Sequence, residues 1–324
     1  YAIDILSQNL RLAGFYGHLH DLGSIPAPAT IPPDPCEAAD LAVLKSSMWF
    51  PVQGYAGSIH ATTPASDAIP DLSSTTCGAL TAANLKPGSD IVVVRRANTN
   101  ALTSTDTTVS NGLYLQASAI AAELQLGGGG ALGTCGTIPA EHCKADGTTA
   151  STLKLNNGSF PAPSAPIRRY HVQIYFVAPC SVGTGTAGGV SGVCTSSDDT
   201  IPTLKRLELS TSGSFVIVPL VEGIEFVKVL YGVDTAPSTV NIATGNSGDA
   251  SVDSYLATPA DWQTAIAAKI YVLARNTELT RGYTDDKTYL LGTIAVPARL
   301  DNFKRHVFAT SVMLTNPAGR REIP

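Results

Sequence analysis

Arg168–Cys180, RRYHVQIYFVAPC, is the stretch on which the fold turns. Tyr170, Val172, Ile174 and Phe176 alternate with Arg169, His171, Gln173 and Tyr175, the period-two pattern of a strand with one face in the core. Comparable runs follow at Leu204–Leu209, Ser214–Leu220, Ile224–Tyr231, Ala267–Arg275, Thr288–Val296 and His306–Leu314, each bounded by turn residues. Upstream, Ile91–Arg95 is a β-branched run after the Lys86-Pro87-Gly88 turn, and Gly112–Ala117 alternates as a further strand. Gln116–Leu126 reads also as one or two helical turns, ended by Gly127–Gly130. No crossover helices separate the strands of the second half. An antiparallel sheet with one solvated face therefore explains the alternation better than a parallel sheet, whose strands would be continuously apolar.

The chain opens on a different period. In Tyr1–Phe15, YAIDILSQNLRLAGF, the residues Ile3, Leu6, Leu10 and Ala13 share one helical stripe, while Asp4, Ser7, Gln8 and Arg11 lie elsewhere. No capping residue precedes Tyr1, so the segment reads as the second half of a longer amphipathic helix, ended by Gly14. A helix this polar on its other side is stable through burial, so Ile3, Leu6 and Leu10 are expected against the sheet. The fold class is α+β: an N-terminal helix packed on predominantly antiparallel sheet, with long disulfide-braced loops. Residues 1–16 are the helix and 17–324 the globular part, divided into a loop-rich stretch, 17–165, and a sheet stretch, 166–324.

Composition narrows the function. With 324 residues and 44% hydrophobic content, the chain can bury a large core. Charged residues are only 15% and the net charge is −5, which disfavours a nucleic-acid or anionic-membrane footprint. The most apolar stretch, Phe215–Val233, is interrupted by Pro219, Glu222, Glu225 and Lys228, so nothing present spans a bilayer. Six cysteines lie in polar, Gly-, Pro- or Ser-rich surroundings with no CxxC pair, against zinc and for an oxidising compartment. Fifteen connectivities are open to six cysteines. Sequence proximity favours Cys180–Cys194 and Cys135–Cys143 and leaves Cys36–Cys77.

Candidate chemistry is sparse. His18-Leu19-His20-Asp21 is the densest histidine group and lacks a third ligand nearby. Glu141-His142-Cys143 matches no catalytic signature, and Gly127–Gly130 lacks the Gly-Lys-Ser/Thr ending of a phosphate loop. Asn246, Asp249 and Asp253 echo a calcium loop, but Ala250 and Ser247 stand where glycine and a carboxylate are usual; calcium is the one cofactor considered. Asp198-Asp199 and Asp285-Asp286 are paired carboxylates of the kind a glycosidase sets across a cleft, here read as solvated loop tips. A secreted hydrolase using them is the rival function of another class. No catalytic residue is assigned.

RRYHVQIYFVAPC, CTSSDDTIPTLKRLEL (194–209), PLVEGIEFVKVLYGVD (219–234), AAKIYVLARNTE (267–278), GYTDDKTYLLG (282–292) and FKRHVFATSVMLTNPAGRRE (303–322) together resemble the PilW family of type IV pilus minor pilins. AIDILSQNLRLAGFYG (2–17) extends the resemblance to the start, whereas Asp21–Pro163 carries only scattered similarity such as SDIVVVRRA. The resemblance implies a pilin-like fold in which Tyr1–Tyr16 is the C-terminal half of the long pilin helix, with a membrane-embedded portion upstream. It implies a structural role: priming pilus polymerisation and residing at or near the tip, in adhesion and twitching motility. The implied partners are other minor pilins, the major pilin, a large tip adhesin and the inner membrane through the upstream helix. The implied location is the inner membrane facing the periplasm, then the extracellular pilus. The J-type pseudopilin of type II secretion is the related alternative; the C-terminal FKRHVFATSVMLTNPAGRRE favours PilW.

Overall fold

The computed structural model describes the chain except for residues 27–31, 61–63, 104, 131, 133–142, 150, 152, 156–162, 211–213, 237–248 and 322–324. Three helices, α1 (Ala2–Arg11), α2 (Leu41–Ser46) and α3 (Thr315–Arg321), accompany fifteen strands among the described residues. The first nine strands are β1 (Val52–Tyr55), β2 (Ile91–Ala97), β3 (Leu113–Ala117), β4 (Ala122–Leu126), β5 (Ile167–Ala178), β6 (Gly185–Ala187), β7 (Val190–Val193), β8 (Thr203–Leu209) and β9 (Phe215–Glu222). The rest are β10 (Ile224–Val233), β11 (Ser254–Leu256), β12 (Ala265–Arg275), β13 (Tyr289–Leu291), β14 (Ile294–Val296) and β15 (Arg305–Met313). Among the described residues every strand pairing is antiparallel.

The decisive stretch becomes β5, the centre of a seven-stranded sheet ordered β1-β2-β5-β3-β4, with β8 also on β5 and β9 outside β8. Strands from 17–165 and from 166–324 thus share one sheet. The expectation of a solvated face fails for β5. Tyr170, Val172, Ile174 and Phe176 enter one core and Tyr175 and Val177 another, so only its first residues remain partly open. A central strand meets layers on both sides, and period two in sequence marks polarity of side chains, not what covers them.

One core lies between this sheet and the segment Tyr16–Ile25 with α2, whose N-cap Asp40 accepts from the amides of Ala42 (2.8 Å) and Val43 (3.2 Å). The other face meets α1 and a second sheet, ordered β11-β10-β12-β15. The hairpin β13–β14 covers the far side of that second sheet, where Phe226, Leu273, Leu291 and Val296 form a smaller core. The sheets are clamped by a buried pair: Lys228 Nζ binds Asp90 and the Gly57 carbonyl (2.6 Å), and Asp90 Oδ2 accepts from the Val229 amide at 2.9 Å. Close approach fixes one residue of β1. A Cβ on Gly54 would strike the Tyr231 ring, with Cε2 at 2.9 Å.

Three elements depart from the sequence reading. Gln116–Leu126 is not helical but the hairpin β3–β4, because Gln116 and Gln125 bond each other (3.0 Å) across paired strands. Thr288–Val296 splits into β13 and β14 around Gly292. Helix α3 follows β15 directly and ties the two ends of the described chain together: Asn316 Nδ2 donates to the Ala13 carbonyl at 3.0 Å, and Arg320 to the Gly14 carbonyl.

Disulfides join Cys36 to Cys77 and Cys180 to Cys194. Cys143 is disulfide-bonded too, and Cys135 lies outside the described residues. On the chain-entropy account, closing 41 residues stabilises by about 4 kcal/mol and closing 14 by about 3.

Candidate functional site

α1 carries no side-chain cap at Tyr1, and it ends where Gly14 turns to a φ of 71°, its amide donating to the Arg95 carbonyl at 2.9 Å. Leu6 and Leu10 are 1% exposed and Ala13 is sealed, all within the core shared with both sheets. Ile3 is only half-buried, while Asp4, Gln8 and Arg11 face solvent. Ile3 ends in a shallow apolar groove of about 220 Å³ with Val221, Ile224, Val272, Ala274 and Phe308. Phe308 is 48% exposed and Tyr1 lies open beside it.

β15 forms the adjoining edge of the second sheet, and among the described residues only β12 pairs with it. The Leu314 amide donates to the Ile266 carbonyl at 2.8 Å, which fixes the phase of the ladder. Because outward and inward backbone groups alternate in an antiparallel pair, the amides and carbonyls of Val307, Ala309, Ser311 and Met313 point away from β12. The strand runs nine pairs without a bulge and contains no proline. A straight unpaired edge beside exposed Phe308 and Met313 can take up further protein. Sequence periodicity located this strand but could not show that it is terminal in its sheet.

The polar candidates are distributed over separate parts of the fold. His18, His20 and Asp21 are exposed, and Asp21 accepts from the Gly23 amide at 2.7 Å. Glu141 and His142 lie outside the described residues, as does Asn246 of the calcium candidates. Asp249 bonds the Ser251 amide (2.8 Å) and Asp253 bonds both the amide (2.8 Å) and hydroxyl (2.6 Å) of Thr235. The Gly127 and Gly128 amides donate to the carbonyls of Gly112 and Ala145, so they are engaged in the fold.

Asp198 and Asp199 are local turn formers. Asp198 accepts from the hydroxyl of Thr184 (2.7 Å) and the amide of Thr195 (2.7 Å), which hold its carboxyl down at about 2. Burial opposes ionisation of Asp199, yet the amides of Ser181 and Ile201, both at 2.9 Å, bring it to about 2 as well. Both are ionised, and neither is poised as an acid.

Asp285 overturns the loop-tip reading. It is sealed from solvent whereas Asp286 is exposed. Arg305 donates from Nε to Glu225 (2.5 Å), from Nη1 to Asp285 (2.7 Å) and from Nη2 to Asp301 (2.6 Å). The hydroxyls of Tyr289 (2.8 Å) and Tyr283 (3.1 Å) complete Asp285. One guanidinium thus ties β10, β15 and the two loops flanking the β13–β14 hairpin. The sequence signal was an arginine opening a strand with Asp301 four residues before it, while Asp285 and Glu225 lie 20 and 80 residues away in the chain.

Fold and surface together define a disulfide-braced domain in which an apolar groove lies beside an exposed strand edge. Residues 181–316, from the approach to β6 through the first residues of α3, match the family model of Type IV Pilus-assembly protein W, and this stretch is PilW-like. The match covers less than half of the chain, and for that stretch it points to type IV pilus assembly. No curated protein and no solved structure matches significantly. Among the described residues no helix is long and apolar enough to cross a membrane.

Proposed function

We propose that the chain is a minor pilin that takes part in type IV pilus assembly, priming polymerisation and residing at or near the tip. The PilW match over residues 181–316 carries this reading. Two features support it: a helix laid by its apolar stripe onto antiparallel sheet, as a pilin-like fold requires, and disulfides that brace the domain outside the cytoplasm. In this reading the protein faces the periplasm from the inner membrane and later lies outside the cell in the pilus. Its partners are other minor pilins, the major pilin and a large tip adhesin, and its role is structural.

The test is deletion of the gene and its restoration, with surface pili counted. Loss of piliation restored by the wild-type gene is expected. Restoration with Phe308→Asp, which alters an exposed side chain and leaves the core intact, is expected to fall short. Normal piliation without the gene would refute the assembly role.

A further inference from the structure

A cavity of about 520 Å³ opens where the end of β5, the loop 194–202 and the ends of β10 and β12 meet. Its size is that of a small-molecule or peptide-end site. Two cations line it, Lys86 and Arg275. No described carboxylate lies within ion-pair reach of either. Arg275 spends Nη2 on the Thr200 carbonyl (2.8 Å) and stacks on Phe303, while half-buried Lys86 holds its Nζ over the Phe226 ring, 5.6 Å from the centroid, with no described hydrogen-bond acceptor.

The wall carboxylates are already spent. Asp198 and Asp199 cap backbone amides, and Glu225 holds Arg305. They nonetheless bear negative charge, so every anion meets some repulsion there, and a doubly charged phosphate about twice that of a single carboxylate. Apolar wall comes from Pro179, Pro202 and Phe303. From these neighbours we infer that the cavity binds a carboxylate attached to an apolar body, the carboxylate between Lys86 and Arg275 and the body against Phe303 and the prolines. Desolvation holds both cations below their ordinary pKa, and an anion between them would reverse that penalty.

The source of the carboxylate is either a free small acid or the C-terminal apolar residue of a peptide, represented by 3-phenylpropionate and N-acetyl-Ala-Phe. Binding is read from amide chemical shifts at Ser196, Thr200 and Phe303. Both probes are expected to shift these amides, the tighter one identifying the source. The amide-capped N-acetyl-Ala-Phe-NH2 should bind at least about tenfold more weakly, as should the acids to Lys86→Gln and to Arg275→Gln, with Lys86→Arg retaining binding. Thermal unfolding separates lost binding from lost folding, and the two variants provide independent readings. Equal binding of acid and amide, full binding by both glutamine variants, displacement of either acid by inorganic phosphate at equal concentration, or no shift at all would each overturn the assignment.

Discussion

Arg305→Met removes the guanidinium from three carboxylates and keeps most of the side-chain volume. In the wild type Arg305 is 1% exposed, and its contacts with Glu225, Asp285 and Asp301 run from 2.5 to 2.7 Å. After substitution Glu225 and Asp285 stay buried with no cation; Asp285 keeps two tyrosine hydroxyls, and Asp301 is open enough to rehydrate. Breaking a buried pair in this way costs about 3–5 kcal/mol, so a loss of about 4 is expected near pH 7. The hydrogen bond from Arg305 holds Asp301 below the usual carboxylate range, a contribution present above the unfolded pKa of about 3.9 and lost as pH falls through the folded value. In the variant that contribution vanishes, so the penalty must shrink as pH falls below about 3.9. Urea unfolding at about pH 3 and about pH 7 measures both values. Adding Glu225→Gln and Asp285→Asn to the arginine variant should recover part of the loss near neutrality. A penalty below about 1 kcal/mol, or one unchanged with pH, would refute the buried-charge account.

Leu6→Ala should cost about 3 kcal/mol in the same assay, and Ile3→Ala under about 1, because Leu6 is sealed and Ile3 is half-buried. Gly54→Ala should lower stability by about 1–3 kcal/mol as the new methyl displaces the Tyr231 ring, and Tyr231→Phe in the same background should relieve part of it. Burial, with Arg96, Arg169 and Arg206 nearby, pushes the His171 imidazole down to about 3, so the folded chain keeps it neutral while the unfolded chain protonates near 6.5. Stability should then fall as pH drops between those values by at most about 1.4 kcal/mol per pH unit, less for partial exposure, and His171→Gln should flatten that slope in urea titrations.

The antiparallel strands from Leu204 to Leu314 and the stripe Leu6, Leu10 and Ala13 were legible because period two and period 3.6 are local properties of side-chain order. The family resemblance rested on the same contiguous text. Local order also misled: Gln116–Leu126 fits a helix by spacing, yet pairing across a turn made it a hairpin, and β5 looked half-exposed until layers closed over both faces. Asp285 looked like a loop tip until Arg305 reached it from another strand.

By itself, then, the order of residues marked the long strands from β5 onward and the apolar stripe of α1, and its six cysteines point to an oxidising compartment. Only the tertiary structure decided that β15 is an edge, that Phe308 is left uncovered and that Lys86 and Arg275 meet at one cavity. Periodicity encodes what each residue prefers to face, whereas neighbours in space are chosen by long-range pairing among strands far apart in the chain, which no local pattern records.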